Sequence, residues 1–373
     1  MTSATPRIRV AVVFGGVSSE HDVSCLTAGG VSRALDRERF EVVGIGITPT
    51  GRWVQVPEAE LVALEVVDHQ LPRLDEARPS AAVTGTATGA QVATMVEGRL
   101  TDVREFEVAF SLLHGPFGED GTIQGMFEML GVPYVGSGVA ASANGMDKDL
   151  MKRALSAAGL PGCRFVAFTP RQLATDLDGC IEAVNALTFP VYVKPARGGS
   201  SMGISRVTDP SGLVAALAEA ERFDPKVIVE EGFVGAREIE LAVLGGRDGG
   251  PPRVSLPGEI RMHTDDAFYD FEAKYLPEQQ VSLDVPADVD AHLVPVLQDT
   301  AIRAFEALGA EGLSRVDLFL TADGEVFVNE INTMPGFTRT SMFPSMWAAS
   351  GLPYTDLIAD LITQALQRRV GLR

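Results

Sequence analysis

The stretch "SRVDLFLTADGEVFVNEINTMPGF" (Ser314–Phe337) holds two apolar runs joined by Asp323-Gly324, a hairpin turn signal. Residues two apart in a strand point the same way. Arg315 and Asp317 therefore share one face of the first strand, and Glu330 and Asn332 share one face of the second. Pairing the strands collects two carboxylates, an amide oxygen and a guanidinium among apolar neighbours (Val316, Leu318, Phe327, Val328, Ile331). Buried polar groups cost free energy unless they are paired. Cross-strand ion pairing on a wet face is one resolution. The other is a cation held by oxygen ligands, for which two carboxylates and an amide suit Mg²⁺ with substrate phosphates completing the octahedron. The abrupt stop at "TMPGF" favours the second.

Working outward, "YVKPARGGSSMGISRV" (Tyr192–Val207) reads as strand, Gly/Ser loop, strand. Glycines let backbone N–H groups approach phosphate oxygens, and serine hydroxyls add donors. No Lys-Ser/Thr and no helix follows the glycines, so this is not a Walker loop. It is either a phosphate-covering hairpin or an ordinary turn, and the cations Lys194 and Arg197 tilt it toward phosphate. "IRVAVVFGGVSSEHDVS" (Ile8–Ser24) opens the chain with a strand apolar enough to be buried on both faces. Ser18 and Ser19 are candidate caps for a helix over 20–35. "FEVVGIGIT" (Phe40–Thr48) follows, so the chain begins as a parallel α/β unit. The glycines lack G-x-G-x-x-G and no acidic residue ends the second strand, which argues against a dinucleotide site. "LLHGPFGEDGTIQG" (Leu112–Gly125) puts His114, Glu119 and Asp120 in a glycine-rich loop at the same sheet edge as "SSEH" (Ser18–His21), where ligands of open α/β sheets bind. Strands precede a helix over 292–308 in the last third, which predicts an antiparallel sheet, closed by a helix over 354–367. Residues 51–104, rich in Ala, Thr and Gly, predict only short strands and a helix.

At 373 residues the chain exceeds one ordinary core. A formal charge of −19 argues against non-specific nucleic-acid binding. Three cysteines without a C-x-x-C pair suggest no disulfide framework and fit a reducing, cytoplasmic setting. The first residues read as no signal peptide, and no apolar run reaches the ~18 residues of a membrane span.

"HGPFGEDGTIQG", "MDKDLMK", "VKPARGGSSMGIS", "FYDFEAKY" and "RVDLFLTADGEVFVNEINTMPGFTRTSMFP", in this order, resemble the D-alanine–D-alanine ligases of the ATP-grasp superfamily. The resemblance runs from Phe14 to about Pro344. It implies an α/β, three-domain architecture: a Rossmann-like substrate-binding domain over 1–147, an ATP-binding subdomain over 148–230, and a catalytic domain over 231–373 with a lid loop at 267–276. It implies ATP between the second and third, with Lys148, Lys194 and Ser201 toward the phosphates, Glu230 toward the adenine and Glu238 toward the ribose. Asp317, Glu330 and Asn332 would hold two Mg²⁺ ions, with Mn²⁺ as a substitute. Glu20 would bind the ammonium of a first D-alanine beside His114, and Ser341 and the Met342 N–H the carboxylate of a second. Arg315 and the Gly336 N–H would stabilise an oxyanion. Ser200 and Tyr275 would form a set with Glu20 and close the lid, keeping water from an acyl phosphate. Lys274-Tyr275 is intact, which favours a dipeptide product over D-lactate or D-serine as the second substrate. Asp22 departs conservatively from the family's "GGxSxEHEVS". A homodimer through the N-terminal domain is a further implication. A regulatory nucleotide-binding module without catalysis is the reading from another class; the metal and oxyanion residues argue against it.

Overall fold

In the computed structural model, which describes residues 6–199, 202–262, 281–368 and 371, the opening apolar run is strand β1 (Ile8–Gly15). It pairs in parallel with β2 (Phe40–Ile47), and on its other side with β7 (Val108–Ser111). β3 (Trp53–Val56) closes one edge, antiparallel to β2. Alternate residues of β1 feed different cores, as burial on both faces requires. Val10, Val12 and Phe14 pack with Cys25, Ala28 and Val31 of the helix His21–Ala34, and with Leu357, Ile358 and Leu361 of the helix Tyr354–Gln367. Ala11 and Val13 pack with Val92, Phe106, Phe127 and Tyr134.

β1 ends at Gly15, whose φ is +90° and where a Cβ would lie 2.2 Å from the Ile47 carbonyl oxygen, so only glycine fits this turn. The first helix begins at His21 with Glu20 as its N-cap and no side-chain cap. The serine cap expected from sequence is thus absent; Ser18 Oγ instead accepts the Glu20 N–H at 3.3 Å.

Residues 81–106 form an antiparallel meander of β4 (Ala81–Thr86), β5 (Gly89–Val96) and β6 (Arg99–Phe106). The next sheet, in order β10-β9-β11-β8, comprises β8 (Phe165–Phe168), β9 (Val191–Pro195), β10 (Ser205–Val207) and β11 (Val227–Glu231). All its pairings are antiparallel. Helices Leu177–Asn185 and Leu213–Glu221 pack on it through Val184, Leu213 and Leu217.

The largest sheet has β12 (Arg237–Leu244) at its centre, pairing β13 (Arg253–Val254), β14 (Gly258–Met262) and β16 (Leu313–Leu320). β15 (Val281–Asp284) and β17 (Val326–Asn332) are its edges. Every pairing is antiparallel, as the strand-before-helix order predicts. Ile239, Leu241, Val316, Leu318, Val328 and Ile331 bury one face against the helices Lys148–Ala157 and Val294–Ala307. The opposite face carries Glu238, Glu240, Arg315, Asp317, Glu330 and Asn332. A ring cluster of Phe233, Phe319 and Phe327, with centroids 4.6 and 5.2 Å apart, flanks that face.

Candidate active site

The hairpin β16–β17 pairs Arg315 with Asn332 and Asp317 with Glu330, so the four polar side chains meet. Strict alternation along β17 would not have done this, because Glu330 and Asn332 have the parity of the buried Val326 and Val328. A bulge at Asn329 shifts the register between Asp317 and Leu318 and resets the phase. Ile331 then faces the core and Glu330 faces out.

Arg315 grips Asp317 with two parallel bonds, Nε to Oδ1 and Nη2 to Oδ2, both 2.7 Å. Its Nε lies 3.1 Å from Glu240 Oε2. Burial opposes the Arg315 charge, but Asp317 and Glu240 outweigh it and hold its pKa well above the usual value. Asn332 Nδ2 donates to Asp317 Oδ2 at 3.0 Å, which leaves the amide oxygen as the acceptor.

Lys148 bridges the site's two halves. Its Nζ donates to the Gly198 carbonyl of the Gly/Ser hairpin at 3.0 Å and lies 3.3 Å from Glu330 Oε2. Lys194 Nζ lies 2.7 Å from Glu230 Oε1. Glu230 is 2 % exposed and sits between Lys194 and Lys152, whose Nζ is 2.8 Å from Oε2. Burial alone would raise this carboxyl; the two ammonium groups drive it far below the carboxylate range.

The hairpin is anchored at its base. Asp224 accepts the Arg197 N–H at 2.8 Å, Arg197 Nε at 2.9 Å and Nη2 at 2.6 Å. Arg197 thus binds Asp224, whereas the sequence tilted it toward phosphate. Burial pushes the Asp224 carboxyl up, but Arg197 and the Lys226 N–H outweigh it and hold it below the usual value. A depressed carboxyl stabilises the fold fully above the unfolded pKa of about 3.9 and loses that contribution as pH falls toward its native value. Asp224→Asn should therefore show a smaller drop in urea midpoint than wild type between pH 6 and pH 3. An equal or larger drop in the variant would remove Asp224 from this role.

The N-terminal loops converge on the same place. His114 Nδ1 lies 3.3 Å from the Met334 carbonyl, just before Pro335-Gly336, and 3.7 Å from Glu119 Oε1. Burial disfavours the His114 cation, but Glu119 and then Glu20 raise its pKa; burial in turn raises that of Glu119, which His114 only partly offsets. Among the described residues the buried His114 Nε2 has no hydrogen-bond partner. A Cβ on Gly115 would lie 3.3 Å from Glu20 Oε2, and one on Gly199 3.5 Å from it, so Glu20 sits between the His114 loop and the Gly/Ser hairpin.

Ser341 precedes the helix Met342–Ala349, of which Met342 is the first residue. Its Oγ is 2.7 Å from Thr338 Oγ1 and accepts the Thr338 N–H at 3.1 Å. Glu238 is exposed at the outer end of the face, opposite Phe319 and Ile260. Ser200, Ser201, Lys274, Tyr275 and the expected lid at 267–276 lie outside the described residues.

Sequence reasoning placed Glu119 in the same pocket loop as His114, and missed Glu240 and Lys152 as members of this constellation. Glu240 had a signal: Glu238 and Glu240 in "REIELAVLG" are spaced two apart like Arg315 and Asp317. Among the described residues no group of three or more His, Cys, Asp or Glu side chains is placed to hold a metal. Asp317, Glu330 and the Asn332 oxygen nevertheless fit Mg²⁺, which takes one or two carboxylates and leaves positions for phosphates and water.

The family models described as D-ala D-ala ligase N-terminus and D-ala D-ala ligase C-terminus match residues 9–137 and 154–363. The chain belongs to the D-alanine–D-alanine ligase family. It is 52 % identical over 385 residues to the D-alanine–D-alanine ligase of Kineococcus radiotolerans, covering 100 % of both chains. To that of Mycobacterium avium it is 48 % identical over 377 residues, again covering 100 % of both. Among solved structures, the Coxiella burnetii D-alanine–D-alanine ligase matches with a TM-score of 0.81 and 31 % identity, covering 98 % of this chain and 95 % of that one. The VanG D-Ala:D-Ser ligase of Enterococcus faecalis matches with a TM-score of 0.81 and 32 % identity, covering 96 % of this chain and 100 % of that one. The α/β ATP-grasp architecture expected from the motifs is therefore that of this ligase family.

Proposed function

We propose that this protein joins two D-alanine molecules into D-alanyl-D-alanine at the expense of ATP, for peptidoglycan precursor synthesis. The supporting observation is the Lys148 bridge: one ammonium spans the carbonyl of a glycine hairpin and the carboxylate of an oxygen-ligand platform. A triphosphate lying between them meets cations and ligands together.

In this reading Glu20, at the loop edge beside His114, receives the ammonium of the first D-alanine. Lys148 and Lys194 hold the phosphates while a carboxylate oxygen of that D-alanine attacks the γ-phosphorus and ADP leaves. Asp317, Glu330 and Asn332 would hold Mg²⁺, which neutralises phosphate charge as a Lewis acid. Ser341 and the first N–H of the helix Met342–Ala349 orient the carboxylate of the second D-alanine at a helix N-terminus. Its free amine, having lost a proton, attacks the acyl carbon. Arg315 and the Gly336 N–H stabilise the resulting oxyanion until phosphate departs. Arg315 is already held by two carboxylates, so it serves as a fixed dipole needing no reorganisation.

The three-domain division at 147/148 and 230/231, the adenine and ribose roles of Glu230 and Glu238, the roles of Ser200, Ser201, Lys274 and Tyr275, two metal ions with Mn²⁺ as a substitute, a cytoplasmic location and a homodimer belong to the same reading. They are supported by the family resemblance. Among the described residues no helix is long and apolar enough to cross a membrane. A 39.7 kDa monomer by light scattering at micromolar concentration would remove the homodimer.

Phosphate release is the test. D-alanine with ATP and Mg²⁺ should release phosphate in step with dipeptide. D-alanine with D-lactate or D-serine should still give mainly D-alanyl-D-alanine. No D-alanine-dependent release refutes the proposal. Preference for the mixed product moves the chain to the D-serine-type reading, which the structural likeness to a D-Ala:D-Ser ligase keeps in the comparison.

A further inference from the structure

β17 is an edge strand, yet it carries Glu330 and Asn332. Among the described residues its outer edge meets no further named strand, only an isolated parallel bridge from Val328 to Gly162 and contacts from single groups. Val328 N–H donates to the Pro161 carbonyl at 2.8 Å. Ile331 N–H points at Met151 Sδ at 3.3 Å. The carbonyl of the bulge residue Asn329 accepts from Lys152 Nζ at 3.2 Å.

Lys152 lies one helical turn after Lys148, hence on the same side of the helix. Its side chain is 5 % exposed. An ammonium has three donors, and three acceptors surround this one: Glu230 Oε2 at 2.8 Å, the Asn329 carbonyl, and Cys163 Sγ at 3.3 Å. Cys163 Sγ itself donates to Glu230 Oε2 at 2.9 Å. Three separate segments thus meet on one nitrogen. A bulge leaves a ladder group unpaired, and here that group is taken by a buried cation.

We propose that Lys152 is a positioning residue for the ligation proposed above. By holding the Asn329 carbonyl it fixes the bulge that turns Glu330 and Asn332 toward the site. Through Glu230 it ties that bulge to Lys194 at the base of the Gly/Ser hairpin. It touches no substrate; it sets the distance between the metal platform and the phosphate cradle. Lys148 and Lys152 then divide the work along one helix: Lys148 spans the inner side of the junction and Lys152 locks its back. This inference rests on the ligase reading only for the identity of what binds.

The experiment compares wild type, Lys152→Met, Glu230→Gln and Lys152→Met/Glu230→Gln. It reads the thermal midpoint without nucleotide, the affinity for Mn²⁺ with a non-hydrolysable ATP analogue by electron paramagnetic resonance, and kcat and KM for D-alanine. Lys152→Met alone should lower the midpoint, since it strips a cation from a buried carboxylate. In the double variant that carboxylate is gone, and the midpoint should return to that of Glu230→Gln. Mn²⁺ affinity in the double variant should nonetheless stay about ten- to a hundredfold below that of Glu230→Gln, the usual loss when a support of metal ligands is removed. The fall in kcat should exceed any change in KM for D-alanine. Mn²⁺ affinity equal in the double variant and Glu230→Gln overturns the proposal, leaving Lys152 only a counter-ion. Failure of both Lys152 variants to fold overturns it as well. Absence of wild-type turnover would refute the ligase reading separately, because the Mn²⁺ comparison does not depend on turnover.

Discussion

Glu330→Gln should cut kcat about a hundred- to a thousandfold, the scale of removing one group that stabilises transition-state charge, while the fold survives. The change is isosteric, and Glu330 is only half-buried. Its contact with Lys148, at 3.3 Å, is a partly exposed ion pair of the kind that contributes about 1 kcal/mol or less. The charge therefore matters to what binds the site more than to the chain itself. Thermal midpoints of the metal-free proteins and steady-state turnover with D-alanine check this. A variant that melts far below wild type would assign Glu330 to the cross-strand ion-pair reading and take it out of the metal site.

Arg315→Met should be severe in both respects. Arg315 is the cation facing Asp317 and the nearly inaccessible Glu240. Removing it leaves carboxylates facing each other in a site of low dielectric, a loss of about 3–5 kcal/mol when one partner of a buried pair is deleted. Turnover should also fall by at least about a hundredfold, as for a lost oxyanion donor. Adding Glu240→Gln should recover much of the urea midpoint, because the like-charge repulsion is relieved, and none of the turnover. Recovery of activity in that double variant would show that Arg315 serves only to neutralise Glu240.

Much of this site was readable from local pattern. Period-two spacing put Arg315 with Asp317 and Glu330 with Asn332, and the turn signal at Asp323-Gly324 joined their strands as a hairpin, while the bulge at Asn329 set the register that pairs them. The closing helix Tyr354–Gln367 begins and ends where its apolar spacing does. The meander over 81–106 was opaque for a physical reason. Along β6, Arg99 to Glu105 are all exposed, with Leu100 and Val103 each 50 % accessible, so no buried face imposes an alternation on the sequence. Arg197 misled because a cation beside glycines suggests phosphate, whereas Asp224, distant in sequence, takes it at the base of the hairpin.

What the sequence determined by itself is the chemistry of each position and the direction of neighbouring side chains. Both are set by residue type and by the backbone's own period. It thereby marked two carboxylates, an amide and a guanidinium on neighbouring strands, and a glycine-rich hairpin beside Lys194. Tertiary structure alone decided how they combine. The Asn329 bulge reverses the phase that plain alternation would give β17. The Lys152 to Asn329 bond that braces it spans 177 residues, and the His114 contact that brings the N-terminal loop to the Pro335-Gly336 turn spans 220. Such pairings follow from which faces bury together, and one-dimensional spacing does not encode the register at which distant elements meet.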